Sequence, residues 1–136
     1  MEPNPYLVAS SIFLSLPAVP FLMKNDLLGA TFSILCSGFS MLYHATKPRY
    51  PTILFFDKTF GYATCVYAVK VAMDGLPYSI IPLTTLIGGA LIMYHVGYVY
   101  KCFLWHTDHQ VATTWHAFFH MGNAIACTVI VYLSIN

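Results

Sequence analysis

Charge is what this chain has least of. Only 8% of its 136 residues are Asp, Glu, Lys or Arg, where a soluble domain carries about a quarter. Too few polar side chains remain to cover a water-facing surface. Six Lys and Arg nearly balance five Asp and Glu, for a formal net charge of +1. No basic run offers a stripe that would follow a phosphate backbone, which argues against a nucleic-acid partner. The fingerprints G-x-S-x-G, H-E-x-x-H, G-x-x-x-x-G-K-[ST] and the Rossmann glycines are all missing. The four cysteines, Cys36, Cys65, Cys102 and Cys127, contain no C-x-x-C pair. Cys36, Cys65 and Cys127 lie in apolar stretches and read as small hydrophobes. The first apolar stretch has neither a basic n-region nor an A-x-A-like cleavage site, so it reads as a retained helix and not a signal peptide. Internal repeats and low-complexity tracts are also missing.

What fills the chain instead is apolar: 58% hydrophobic residues and a mean hydropathy of +0.68. This composition predicts an all-α, polytopic transmembrane helix bundle forming a single domain over residues 1–136. A bilayer span needs about 20 mostly apolar residues. Five stretches qualify: Tyr6–Met23, Leu27–Ala45, Ile53–Met73, Tyr78–Tyr100 and Val111–Ile135. Charges, prolines and glycine mark the breaks at Lys24-Asn25-Asp26, Lys47-Pro48-Arg49, Asp74-Gly75-Leu76-Pro77 and Lys101 through Gln110. Pro17 and Pro20 should bend the first helix, which membrane helices tolerate when neighbours satisfy the freed carbonyls. Gly29, Gly38, Gly88 and Gly89 are expected to permit close helix packing.

Counting crossings puts the amino terminus, the 46–52 loop and the 101–110 loop on one face. Lys47, Arg49 and Lys101 lie there, with Lys58 just inside, whereas the opposite loops hold only Lys24. The positive-inside rule makes the first face cytoplasmic, giving N-in and C-out. An endomembrane (ER or Golgi) or plasma membrane location fits such a multi-pass protein.

Against this background five polar residues stand out by their spacing. Ser40 and His44 form S-x-x-x-H in SMLYH, Asp57 sits in FFDKTF, and His116 and His120 form H-x-x-x-H in WHAFFH. A spacing of four places each pair on one helix face, one turn apart. Ionisable side chains are costly within apolar spans, so their default reading is a functional site. All six histidines fall on the same side by the crossing count. Asp57 and His116 lie about 6–8 Å inside their helices at 1.5 Å per residue. Three imidazoles with an open fourth position are the donor set of catalytic zinc. Asp57 would orient or deprotonate the attacking water, and Ser40 would hydrogen-bond it or an oxyanion. His95, His106 and His109 lack partners at that depth and read as packing or interfacial residues. Lys58 follows Asp57 directly, but neighbours on a helix point about 100° apart, which disfavours a tight ion pair.

At these five residues the chain resembles the CREST superfamily of membrane hydrolases, which includes alkaline ceramidases, progestin and adipoQ receptors, hemolysin III-like proteins and GPI-lipid remodelling proteins. That superfamily carries S-x-x-x-H late in its second helix, an Asp early in its third and H-x-x-x-H in its last. The match runs over residues 40–120. The resemblance implies that His44, His116 and His120 bind Zn2+ and that Asp57 and Ser40 hold or activate the nucleophilic water. It differs in helix number: the superfamily has seven and this chain reads as five. The absent pair would lie between the Asp helix and the H-x-x-x-H helix, so parity is kept.

The function expected from these readings is zinc-dependent hydrolysis of an amide or ester bond in a membrane lipid, with a ceramide-like amide first. A homo-oligomer, or direct entry of substrate from the bilayer, would make up for the reduced wall. Two other classes stand beside it. One is a receptor-like or scaffold membrane protein with a bracing zinc, and the other is a haem carrier with facing histidine ligands.

Overall fold

The computed structural model describes residues 3–46 and 50–135. Lys47, Pro48 and Arg49, two of which carry much of the predicted charge asymmetry, lie outside the described residues. Five helices follow one another: α1 (Pro5–Met23), α2 (Leu27–Ala45), α3 (Pro51–Asp74), α4 (Ile80–Trp105) and α5 (His109–Leu133). No strand occurs among the described residues. The boundaries lie close to those predicted, except that α4 runs on through the first half of the predicted 101–110 loop.

Four helices, α1, α2, α4 and α5, are long and apolar enough to cross a membrane, as in a multi-pass membrane protein. The sequence reading counted five such stretches. The difference is α3, which has the length (24 residues) but carries Asp57, Lys58, Lys70 and Asp74. It nonetheless runs alongside α2, stacking Phe56 on Phe39 toward one end and bringing Asp74 to the other. At one end the Asn4 N–H donates to the His44 carbonyl at 3.1 Å, and Asn4 Nδ2 donates to Thr113 Oγ1 at 3.1 Å. The start of α1, the end of α2 and the start of α5 therefore meet. At the other end Lys24 Nζ lies 3.8 Å from Asp74 Oδ2 and donates to Ser134 Oγ at 3.2 Å. This joins the ends of α1, α3 and α5. The helices thus alternate up and down, and the parity read from the sequence holds for the bundle.

Prolines shape α1. Pro17 has no N–H for the Phe13 carbonyl, which takes the Leu16 N–H instead at 2.9 Å. Pro20 likewise leaves the Leu16 carbonyl to the Val19 N–H at 3.2 Å. Both are tightened i→i+3 bonds, and Ile12–Ser15 is accordingly a 3₁₀ turn. The α1–α2 turn is closed by Asp26, whose Oδ1 accepts the Gly29 N–H at 3.0 Å and whose Oδ2 accepts the Tyr67 hydroxyl at 2.8 Å. This is an N-cap that also pins α3.

The apolar core occupies the half of the bundle near that turn: Phe21 of α1, Ala30 of α2, Ala68, Val71 and Ala72 of α3, Leu86 of α4, and Ala126, Cys127, Ile130 and Val131 of α5. Small side chains dominate, so backbones approach closely and van der Waals packing holds the helices together. Of the glycines expected to serve this purpose, only Gly29 does. A Cβ there would stand 2.4 Å from the Phe21 ring. Gly38, Gly88 and Gly89 have open space where a Cβ would go. For Gly88 and Gly89 the reason is that α4 leans on α5 and touches α3 only lightly. It is also the least enclosed helix of the four apolar ones.

Candidate metal centre

The end of the bundle opposite the apolar core is polar inside. Buried Ser10 and Ser11 of α1, Ser37, Ser40 and His44 of α2, and His120 of α5 face one another there. Aromatic stacking sets the register of α2 on α3. The Phe39 ring stacks on Phe56 at 5.0 Å and on Phe60 at 5.3 Å between centroids. Ser40 follows Phe39 and Asp57 follows Phe56, so the stack carries Ser40 and Asp57 to the same level of the α2–α3 pair. Asp57 makes no ion pair with Lys58, since the one ion pair among the described residues is Lys24 with Asp74.

The three predicted ligands converge. Ring centroids are 5.0 Å apart for His44 and His116, 5.5 Å for His44 and His120, and 4.7 Å for His116 and His120. One ring nitrogen from each can be chosen so that all lie within 4.8 Å of one another. Tetrahedral zinc with bonds of about 2.0–2.1 Å wants its nitrogens about 3.4 Å apart, a closure within reach of small side-chain rotations. His44 Nε2 is the one buried side-chain nitrogen or oxygen among the described residues without a hydrogen-bond partner. An orphaned buried polar atom is costly, by about 1–3 kcal/mol. A metal ion at the centre of the three rings would supply what this nitrogen lacks, so the donor set fits zinc. Three rings closing on one point from two helices suit a tetrahedral ion better than the two opposed ligands of a haem.

The other histidines stand apart from this cluster. His95 is exposed, in a single π-helical turn at Ile92–Val96. His106 Nδ1 accepts the Asp108 N–H at 2.9 Å. His109 begins α5, where it was expected in the preceding loop, and its Nδ1 lies 3.4 Å from Thr113 Oγ1. Asp108 caps α5 by accepting the Gln110 and Val111 N–H groups at 2.7 and 3.3 Å. Those bonds hold its carboxyl below the ordinary aspartate value. The connection into α5 folds back on the bundle: Phe103 meets Trp115 edge to face at 5.0 Å, and Trp105 meets Tyr98 at 5.1 Å. Gly97 is required beneath this fold, since a Cβ there would stand 2.9 Å from the Cys102 carbonyl oxygen.

Helix α1 supplies site residues that the motif reading missed. Ser10 Oγ lies 3.0 Å from His120 Nδ1. Ser11 Oγ lies 3.0 Å from Ser40 Oγ, and the Ser37 hydroxyl donates to the Ser11 carbonyl at 2.9 Å. Their signal was present in VASSIF, two adjacent hydroxyls inside an apolar span. Which helix they would face could not be read from α1 alone. All four cysteines are free thiols, and Cys36 and Cys127 are buried as the small hydrophobes expected. No family model, curated protein or solved structure matches this chain.

Proposed function

We propose that this chain is a zinc-dependent intramembrane hydrolase of a lipid amide or ester bond, ceramidase-like, with zinc held by His44, His116 and His120. The observation that carries the reading is the unpartnered Nε2 of buried His44, whose ring clusters with two histidines of α5. The five-residue motif shared with the CREST superfamily supports it. Bound zinc supplies Lewis-acid polarisation of a carbonyl and a nucleophilic water at neutral pH. The chain's own residues do the rest. The Asp57 carboxylate takes the proton released from the attacking water and returns it to the leaving amine or alkoxide. Ser40, tied to Ser11 and brought to the level of Asp57 by the Phe39–Phe56 stack, would fix the direction from which that carboxylate acts. A substrate with long acyl chains would arrive from the bilayer, past α4, the least enclosed of the apolar helices. By the Lys and Arg count the histidine end faces the cytoplasm, in an endomembrane or the plasma membrane.

The test is turnover of labelled ceramide and phospholipid by detergent-purified protein, wild type against Asp57→Asn at matched zinc content. Asp57 is not needed to complete three histidine ligands, so the variant should keep its zinc. Turnover should fall by about 10²–10⁴-fold, the share general-base catalysis contributes. Equal turnover removes Asp57 as the base. A zinc-loaded wild type inert across a broad lipid panel removes the hydrolase and leaves a zinc that braces α2 and α5.

A further inference from the structure

We infer that Ser10 is the positioning residue of the metal centre: its oxygen holds His120 in the Nδ1–H form and so points a bare Nε2 at the other two histidines. The inference rests on the zinc reading above and adds to it a residue outside the five-residue motif. A serine hydroxyl has one proton to give and two lone pairs to offer. Ser10 Oγ–H has an outlet, the Leu7 carbonyl at 3.1 Å. That carbonyl also accepts the Ser11 hydroxyl at 2.7 Å. With its own proton placed there, Ser10 Oγ is free to act purely as an acceptor toward His120 Nδ1, 3.0 Å away. The reverse arrangement, with Ser10 donating to Nδ1, would leave the His120 proton on Nε2. That proton would project toward the ligand cluster and block metal.

Both Ser10 and His120 are buried, so water does not compete for either group. A ligating imidazole commonly gives its second N–H to a fixed acceptor, which sets the tautomer and the ring plane. Here that acceptor is a hydroxyl on a different helix, so α1 is coupled to the ligand it does not carry. The consequence is that metal affinity depends on how α1 packs, through a single hydrogen bond.

The experiment has two arms on the full chain in detergent. In the first, zinc affinity is measured by chelator competition. Ser10→Ala should weaken it by about 10–100-fold, the usual cost of losing such a partner. Ser10→Thr keeps the acceptor and should restore most of the loss. Ser15→Ala lies on the same helix and bonds only the Ile12 carbonyl; it should match wild type. In the second arm, nitrogen NMR of ring-labelled, metal-free wild type should show His120 as the Nδ1–H tautomer, which needs no variant to fold. Unchanged zinc affinity in Ser10→Ala overturns the inference, and so does an Nε2–H tautomer at His120. A wild type that binds no zinc instead sinks the zinc reading and the inference with it, and is recognised by the failure of the unmutated protein.

Discussion

His44 and His106 show how little residue type alone decides. Both are histidines at the same end of the bundle. His106 is satisfied by its own loop, through the Asp108 N–H. His44 is buried, its Nε2 has no hydrogen-bond partner, and its ring packs against those of His116, His120 and Tyr43. Replacing His44, His116 or His120 by Ala should each remove most of the roughly one zinc per chain expected of the purified protein. His106→Ala and His109→Ala should leave zinc content unchanged. Elemental analysis of the five variants checks both halves. Full occupancy in a triple variant lacking His44, His116 and His120 would dispose of the site. Asp57 illustrates the complementary case: its neighbour in sequence, Lys58, makes no ion pair with it, whereas the Phe39–Phe56 stack brings Ser40, 17 positions away, to its level.

Among the elements, α1 does more than its apolar composition suggests. Asn4 caps it, receiving the Leu7 N–H at 3.2 Å, while its amide group reaches α5 and its backbone reaches α2. Two prolines then tighten its middle, and Phe21 at its far end fills the space over Gly29. That last contact predicts a difference between glycines. Gly29→Ala drives a methyl into the Phe21 ring, which is fully buried and has nowhere to swing. Overpacking of this kind costs about 1–3 kcal/mol. Gly88→Ala enters open space and should be neutral or slightly stabilising, since Ala is the better helix former by about 1 kcal/mol. Thermal unfolding in detergent should show a lowered Tm for Gly29→Ala alone. An equal loss in Gly88→Ala would mean that α4 packs as closely as α2.

For the whole molecule, the two ends of the bundle differ in kind. The Lys24–Asp74 end sits next to a dry core of small apolar side chains, and the His44 end holds the hydroxyls and imidazoles. Five helices alternating in direction place the termini at opposite ends, although α3 alone is too polar to stand out as a membrane span. Of its four charges, Lys58, Lys70 and Asp74 are exposed, Asp74 facing Lys24 at 3.8 Å, and Asp57 is half-buried. Accessibility labelling of single cysteines, or glycosylation tags on both termini, should therefore report the amino and carboxyl termini on opposite sides of the membrane. The 101–110 segment should share the amino-terminal, cytoplasmic side. Both termini on one side would mean an even number of crossings, with α3 lying outside the membrane. A fully inverted molecule would refute only the orientation.

Sequence alone determined the helices, their alternation and the pairing of residues within each one. Apolar stretches between charged or proline-bearing breaks mark the spans, and 3.6 residues per turn puts Ser40 with His44, and His116 with His120, one turn apart on one face whatever surrounds them. Parity then brought the three histidines to the same end. Tertiary structure decided everything that depends on how one helix is rotated and shifted against another. It settled that the three rings close to within 5.5 Å, that His44 Nε2 has no partner, that Asp57 makes no ion pair with Lys58, and that α1 presents Ser10 and Ser11 to the site. It also decided that Gly88 and Gly89, written as if for close packing, face open space. The physical reason is the range of the forces. Helix geometry is set by backbone bonds four residues apart, so it is written locally. The rotation of α1 on α2 and α5 results from the prolines, the Phe21–Gly29 contact, the aromatic stack and the end caps acting together, and no single stretch of chain contains it.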